Sequence, residues 1–187
     1  TVYVSNSFVT DEALTLMAPH VDVLCSDIKS LSDVFYHDIC PTAKVSQVLD
    51  SIHKAHQLGI HVETRTNIIP GKNDDIAELQ QIAEWIYNHL GADSPWHITK
   101  FFPAYKLADV PATPSAIMWA AHDVARKAGL TNVYVYDDKG CDCAESNMPV
   151  AEYLAADDPS AIHAVKKCAA SCCGDEGVVL KKYEQAE

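Results

Sequence analysis

The sequence predicts an α/β fold made of successive parallel βα units, and three observations carry that prediction. Apolar strand-like runs alternate with amphipathic helical runs as far as about residue 137. Each strand-like run reaches the next through a helix-length segment, which implies right-handed crossovers and a parallel sheet. Polar motifs recur at the ends of the runs: Ser5-Asn6-Ser7, Asp27-Ile28-Lys29, Arg65-Thr66-Asn67 leading into Pro70-Gly71, and Lys100 to Tyr105. In sheets of βα units a ligand sits beyond the carboxyl ends of the strands, so these motifs point to one shared site. The pattern leaves barrel and open sheet as alternatives.

A strand is expected at about 1–5, a helix at about 11–18, and an apolar strand from Val21 to Cys25 that ends on Asp27 and Lys29. The next helix, over 45–58, places Val45, Val48, Leu49, Ile52 and Ala55 on one face, and Gly59 sits where a left-handed C-terminal residue is wanted. A strand from Ile60 to Ile69 follows. Beyond Pro70-Gly71, the Asp75-x-x-Glu78 spacing resembles a helix-start box, and Ile76, Leu79, Ile82, Ala83, Ile86 and Leu90 form the buried stripe of a helix over 74–90. Strand four spans His97 to Phe102. The last helix, over 114–128, opens with Thr113 as N-cap and Pro114 in its first turn, buries Ile117, Ala121, Val124 and Ala125, and stops at Gly129. A fifth strand runs from Val133 to Tyr136.

With 187 residues, 48% of them hydrophobic and 21% charged, the chain has enough material for one domain with a core, or for part of a larger one. Fourteen Lys and Arg against 26 Asp and Glu give a net charge of -12. That balance opposes a nucleic-acid backbone or an anionic membrane, so neither is expected as a partner. No apolar run approaches the roughly 20 residues that span a bilayer. The opening Thr1-Val2-Tyr3-Val4-Ser5 reads as a strand and not as a signal peptide, so a cytoplasmic protein is expected. An opening directly on a strand also suggests a domain boundary there. Fixed-period repeats and low-complexity tracts are absent, and composition first shifts near residue 138. Two regions follow: 1–137, which carries the βα units, and a Cys-rich extension over 138–187.

Asp27 and Lys29 are two apart, so along a strand they share a face and can hold a zwitterion, Asp on an ammonium and Lys on a carboxylate. An isolated D-x-K at a strand exit is also a common solvated charge pair of little energetic weight. Arg65 shifts that balance: in a strand otherwise rich in branched apolar residues its permanent charge demands an acidic ligand or a carboxylate partner. Glu63, on the same face, is the structural candidate. Cys25 and Cys40 read as small packed hydrophobes. The three tryptophans, Trp85, Trp96 and Trp119, read as core and rim, and His97 as a core or surface residue.

These residues carry a family resemblance. Ser5-Asn6-Ser7-Phe8, Asp27-Ile28-Lys29, Val62-Glu63-Thr64-Arg65 with Ile69-Pro70-Gly71-x-Asn73-Asp74, and Phe101-Phe102-Pro103-x-Tyr105-Lys106 resemble, in order and spacing, the later strands of radical S-adenosylmethionine (SAM) enzymes. The branch most resembled is the pyruvate formate-lyase activating enzyme type. Within it, Pro95 to Phe101 and Tyr105 to Asp109 are similar to the AmmeMemoRadiSam-system proteins. The resemblance covers about residues 1–137. It implies a partial (β/α)6 TIM-like barrel, of which this chain supplies the last four units, and an enzyme that reductively cleaves SAM to a 5′-deoxyadenosyl radical for hydrogen abstraction.

Matching positions imply that Asp27 and Lys29 lie beside the methionine moiety of SAM, with Lys29 near its carboxylate, and that Arg65 faces the cofactor. Ser5 and Asp27 match a monovalent-cation site of some relatives, although Val4 stands where those carry an acid. Asn6 belongs to the same strand-end motif, and Tyr105 stands where some relatives contact SAM through a histidine. The family holds a 4Fe-4S cluster on a C-x3-C-x2-C loop that this sequence lacks. Its cluster ligands, and the glycine-rich motif for the cofactor's amino group, are therefore expected before Thr1, and the chain alone is expected to be inactive. Its partners would be the small-molecule cofactor and either a protein substrate or a missing N-terminal half.

Five of the seven cysteines lie in the extension, as Cys141-x-Cys143 and Cys168-x3-Cys172-Cys173. Two thiol groups separated by a loop suit a zinc or an auxiliary iron-sulfur site; free, partly buried thiols are the other reading. Short helices are expected at Met148 to Ala156 and Pro159 to Val165. Two functions remain in view: the radical enzyme, and a non-catalytic metal-binding or partner-binding α/β module. The sequence preceding Thr1 discriminates between them.

Overall fold

In a computed structural model of the chain, residues 1–41 and 43–137 are described. The two short helices expected in the extension and the cysteines Cys141, Cys143, Cys168, Cys172 and Cys173 lie outside the described residues. Strands β1 (Val2–Ser5), β2 (Val23–Asp27), β3 (His61–Ile68), β4 (Trp96–Lys100) and β5 (Val133–Tyr136) form one sheet in the order β1-β2-β3-β4-β5. The β1-β2, β2-β3 and β3-β4 pairs are all parallel. Helices α1 (Asp11–Met17), α2 (Asp33–Ile39), α3 (Val45–Gln57), α4 (Ile76–Leu90) and α5 (Ser115–Lys127) lie between the strands in chain order. This is the predicted α/β architecture of a partial TIM-like fold.

Alternation along β3 divides its two faces. Val62, Thr64, Thr66 and Ile68 are buried on one face, while His61, Glu63, Arg65 and Asn67 occupy the other. The buried side belongs to the helices: α3 packs on β3, α5 on β4, and α4 on α5. The core there includes Val48, Ile52 and Ala55 of α3, and Leu79, Ile82 and Ile86 of α4. Trp96 is fully buried and donates its indole N–H to Thr66 Oγ1 at 2.9 Å. No helix among the described residues is long and apolar enough to cross a membrane.

Local signals were mostly used as expected, with exceptions that matter for the site. Gly59 takes φ +82° after α3, the left-handed conformation that favours glycine. Asp75 caps α4, its Oδ1 accepting from Ala77 N at 2.7 Å and Glu78 N at 3.1 Å. Glu78, however, does not close a capping box. Its Oε1 accepts instead from Leu31 N at 2.7 Å and from the Ser30 hydroxyl. Thr113 is not the cap of α5, because Pro114 holds that position. Its buried hydroxyl donates to Ile68 O at 2.5 Å and accepts from Phe101 N at 2.8 Å, tying the ends of β3 and β4 together. The short helix α2 was not foreseen; the Ser32 side chain caps it, accepting from Phe35 N at 3.4 Å, and Phe35 and Tyr36 bury its apolar side.

Candidate functional site

Register builds the site. Asp27 at the end of β2 is paired with Arg65 of β3, so their side chains project from the same face at neighbouring positions. Arg65 Nε and Nη2 each lie 2.8 Å from Asp27 Oδ1. Lys29, just past the strand, turns its ammonium onto the other oxygen, with Nζ 2.6 Å from Oδ2. Glu63 is thus not the partner of Arg65 that its position suggested. The closer charge is across the sheet, one strand away.

Two cations against one carboxylate leave this group one positive charge in excess. The Arg65 side chain remains 45% exposed with N–H donors beyond those turned to Asp27. The arrangement suits a small anion such as a carboxylate. Asn67, next on the same face of β3, donates Nδ2 to Thr99 Oγ1 at 3.2 Å and to Lys100 O at 3.0 Å, which extends the polar surface to β4.

One layer deeper on this face lies a second polar group. Glu63, only 6% exposed, has Oε2 3.0 Å from His97 Nε2 and accepts from the Cys25 thiol at 3.6 Å, with His61 Nε2 3.7 Å from its other oxygen. Burial acts to raise the Glu63 pKa, but the hydrogen bond of His97 and the nearby His97 and His61 charges outweigh it and hold the carboxyl down at about 2; His61 Nε2 and Glu63 Oε1, 3.7 Å apart, are buried without a hydrogen-bond partner. Burial first, then the adjacent Glu63 charge, pushes the Cys25 thiol up to about 12. Cys25 is accordingly a thiol hydrogen-bonded to a carboxylate and not a purely packed hydrophobe. His97 also stacks on Tyr134, their ring centroids 5.1 Å apart. Sequence reading missed this layer, although polar residues at 61, 63, 65 and 67 in alternation were its visible signal.

The remaining expected site residues stand apart from the Asp27 cluster. Ser5 pairs with Ser26, which places its side chain on the face opposite Asp27. Its hydroxyl accepts from Ser7 N at 3.0 Å, and Asn6 Oδ1 accepts from Phe8 N at 3.2 Å, so both shape the loop after β1. Tyr105 begins the turn after β4 with φ +49° and is 88% exposed. Its ring lies 5.6 Å from Lys106 Nζ.

Parallel βα units with charged side chains on neighbouring strands define the class: an α/β protein with a partial TIM-like fold. Residues 1–86 match the Radical SAM superfamily. An uncharacterized protein of Methanocaldococcus jannaschii is 37% identical over 134 residues, covering 72% of this chain and 39% of that protein. The chain therefore spans about two fifths of the length of this curated relative. Among solved structures, a domain of pyruvate-formate lyase-activating enzyme from Bacteroides vulgatus is similar with a TM-score of 0.61 and 13% identity, over 72% of this chain and 79% of that one. A radical SAM methyltransferase from Sphaerobacter thermophilus gives a TM-score of 0.59 and 12% identity, over 74% of this chain and 40% of that one. At such identities these two structures speak to fold alone. Residues 1–86 thus carry a radical SAM domain match.

Proposed function

We propose that this chain is the later part of a radical SAM enzyme of the glycyl-radical-activating type and carries the wall that holds the amino-acid end of SAM. The observation that supports this most is the Asp27, Lys29 and Arg65 cluster: at the strand ends, with one surplus positive charge and a half-exposed guanidinium. Lys29 and Arg65 hold the cofactor carboxylate, and Asp27 fixes both cations in place. The similarity to the AmmeMemoRadiSam branch belongs to the same proposal, as does action on a protein substrate.

In such enzymes an iron-sulfur cluster supplies the electron that cleaves the sulfonium. The described residues do not fit that cluster. Cys25 and Cys40 are the free cysteines among them, and burial raises the pKa of both. No three His, Cys, Asp or Glu side chains among the described residues converge as a metal site. The work of these residues is binding: they orient the cofactor, while cleavage requires a cysteine triplet from a preceding segment. The chain by itself then binds SAM without cleaving it.

Isothermal titration of the chain with SAM tests this. Binding that weakens about tenfold or more in Lys29→Ala, the loss of a charge-assisted hydrogen bond, is the expected result. Equal affinity in the variant, or no binding by the parent chain, overturns the assignment. Formation of 5′-deoxyadenosine by the isolated chain with dithionite would refute its inactivity.

A further inference from the structure

The loop that carries Lys29 is bonded along its length by groups from three other elements. Ile28 N donates to Arg65 O at 3.0 Å, and Ile28 O accepts from the buried Thr66 hydroxyl at 2.7 Å. Lys29 N donates to Tyr36 Oη at 3.4 Å. Lys29 O accepts from Asn73 Nδ2 at 2.6 Å. The next two residues are held by Glu78, whose Oε1 takes the Ser30 hydroxyl and, at 2.7 Å, Leu31 N.

Asn73 is the junction of this network. It is 1% exposed and uses both ends of its amide. Its Oδ1 accepts from Ile69 N at 2.6 Å, while Nδ2 bridges Lys29 O and, at 3.0 Å, Asn67 O. One side chain thereby joins the exit of β2 to the exit of β3, the two strands that supply Asp27 and Arg65. The Pro70-Gly71 turn makes this reach achievable: Gly71 adopts φ +69° and the chain doubles back so that Asn73 N bonds Ile69 O at 3.3 Å. Glu78 adds a second anchor from the first turn of α4.

We propose that Asn73 and Glu78 are positioning residues for Lys29: they fix the backbone from Lys29 to Leu31 so that the Lys29 ammonium is held on Asp27 beside Arg65. Neither needs to touch a ligand. An ammonium on a flexible stem is a mobile charge, and clamping its peptide group removes the freedom that would otherwise oppose binding. The inference rests on the strand-end cluster being the ligand site, but its geometric content can be tested without any ligand.

The test compares Asn73→Asp and Glu78→Ala with Glu78→Gln, which retains an acceptor for Ser30 and Leu31. Asn73→Asp keeps the acceptor for Ile69 N but loses both Nδ2 donors. Brief acetylation followed by peptide mass spectrometry reads the reactivity of Lys29 against exposed Lys127 as internal reference. The expected result is a several-fold rise in Lys29 labelling in Asn73→Asp and Glu78→Ala, near-parental labelling in Glu78→Gln, and SAM binding weakened in proportion, by about tenfold in the first two. Ile52→Val, destabilised in the core far from the loop, should leave Lys29 labelling unchanged. Unaltered labelling in Asn73→Asp and Glu78→Ala would overturn the proposal, as would an equal rise in Ile52→Val. If the parent chain fails to bind SAM while the labelling pattern holds, the functional assignment falls and the positioning role stands.

Discussion

Arg65 places two of its nitrogens, Nε and Nη2, at 2.8 Å from a single oxygen of Asp27, leaving the other oxygen to Lys29 at 2.6 Å. Asp27 is thus the keystone of the cluster: without it two cations face each other at the end of adjacent strands. The three side chains are partly exposed, so solvent screens their mutual attraction and the contribution to folding is small while the geometric effect is large.

Asp27→Asn and Arg65→Met should each lower stability modestly, and the double variant should lose less than the sum of the two, by about 1 kcal/mol. Urea denaturation of the four proteins in the cycle measures this coupling. Strict additivity would show that the two side chains act independently despite their contact.

Acid should act through Glu63. Its carboxyl titrates near 4.5 when unperturbed and is held at about 2 in the fold. A depressed folded value means the fold binds the proton less readily than the unfolded chain. The stabilisation is fully present above about 4.5 and is lost as the pH falls toward about 2. In Glu63→Gln this component disappears, so unfolding free energy measured by denaturant between those values should vary less steeply with pH than in the parent. At neutral pH the same variant should be less stable by about 2 kcal/mol, the worth of hydrogen bonds to a charged group. A parallel pair of pH profiles would refute this role.

Thr113→Val removes a hydroxyl that satisfies Ile68 O and Phe101 N while keeping the shape of the side chain. Two buried backbone groups are then left without a partner, at a cost of about 2 kcal/mol. Thr113→Ser retains the hydroxyl and should recover most of that loss. Chemical denaturation distinguishes the outcomes, and equal midpoints for Val and Ser would place Thr113 in packing alone.

The sheet was legible because its signals are local. The buried stripe of Leu79, Ile82, Ala83, Ile86 and Leu90 lies where the 3.6-residue period puts it, although Ile76, expected at its start, is exposed at the first turn, and Gly59 ends α3 with the predicted left-handed turn. The site was legible only in part. Asp27, Lys29 and Arg65 could be named, since charges at strand ends are conspicuous in one dimension. Which carboxylate would neutralise Arg65 depended on inter-strand register, and Glu63 two residues away was less favoured than Asp27 across the sheet. The same reason hid His61, His97 and Cys25 as the surroundings of Glu63, and it hid Thr113 and Glu78, whose side chains satisfy distant loops instead of the helix ends their spacing suggested.

The spatial order of the strands is identical to their order along the chain. Each new unit docks on the one made just before it, so most pairing closes loops of only a few dozen residues and folding can advance as the polypeptide emerges. Among the described residues β1 is the edge strand of this sheet, and pairing at such an edge needs no rethreading of what is already formed. A sheet assembled in this way can be divided between units and extended again, which makes the boundary between two strands a natural place for such a protein to be split, duplicated or joined.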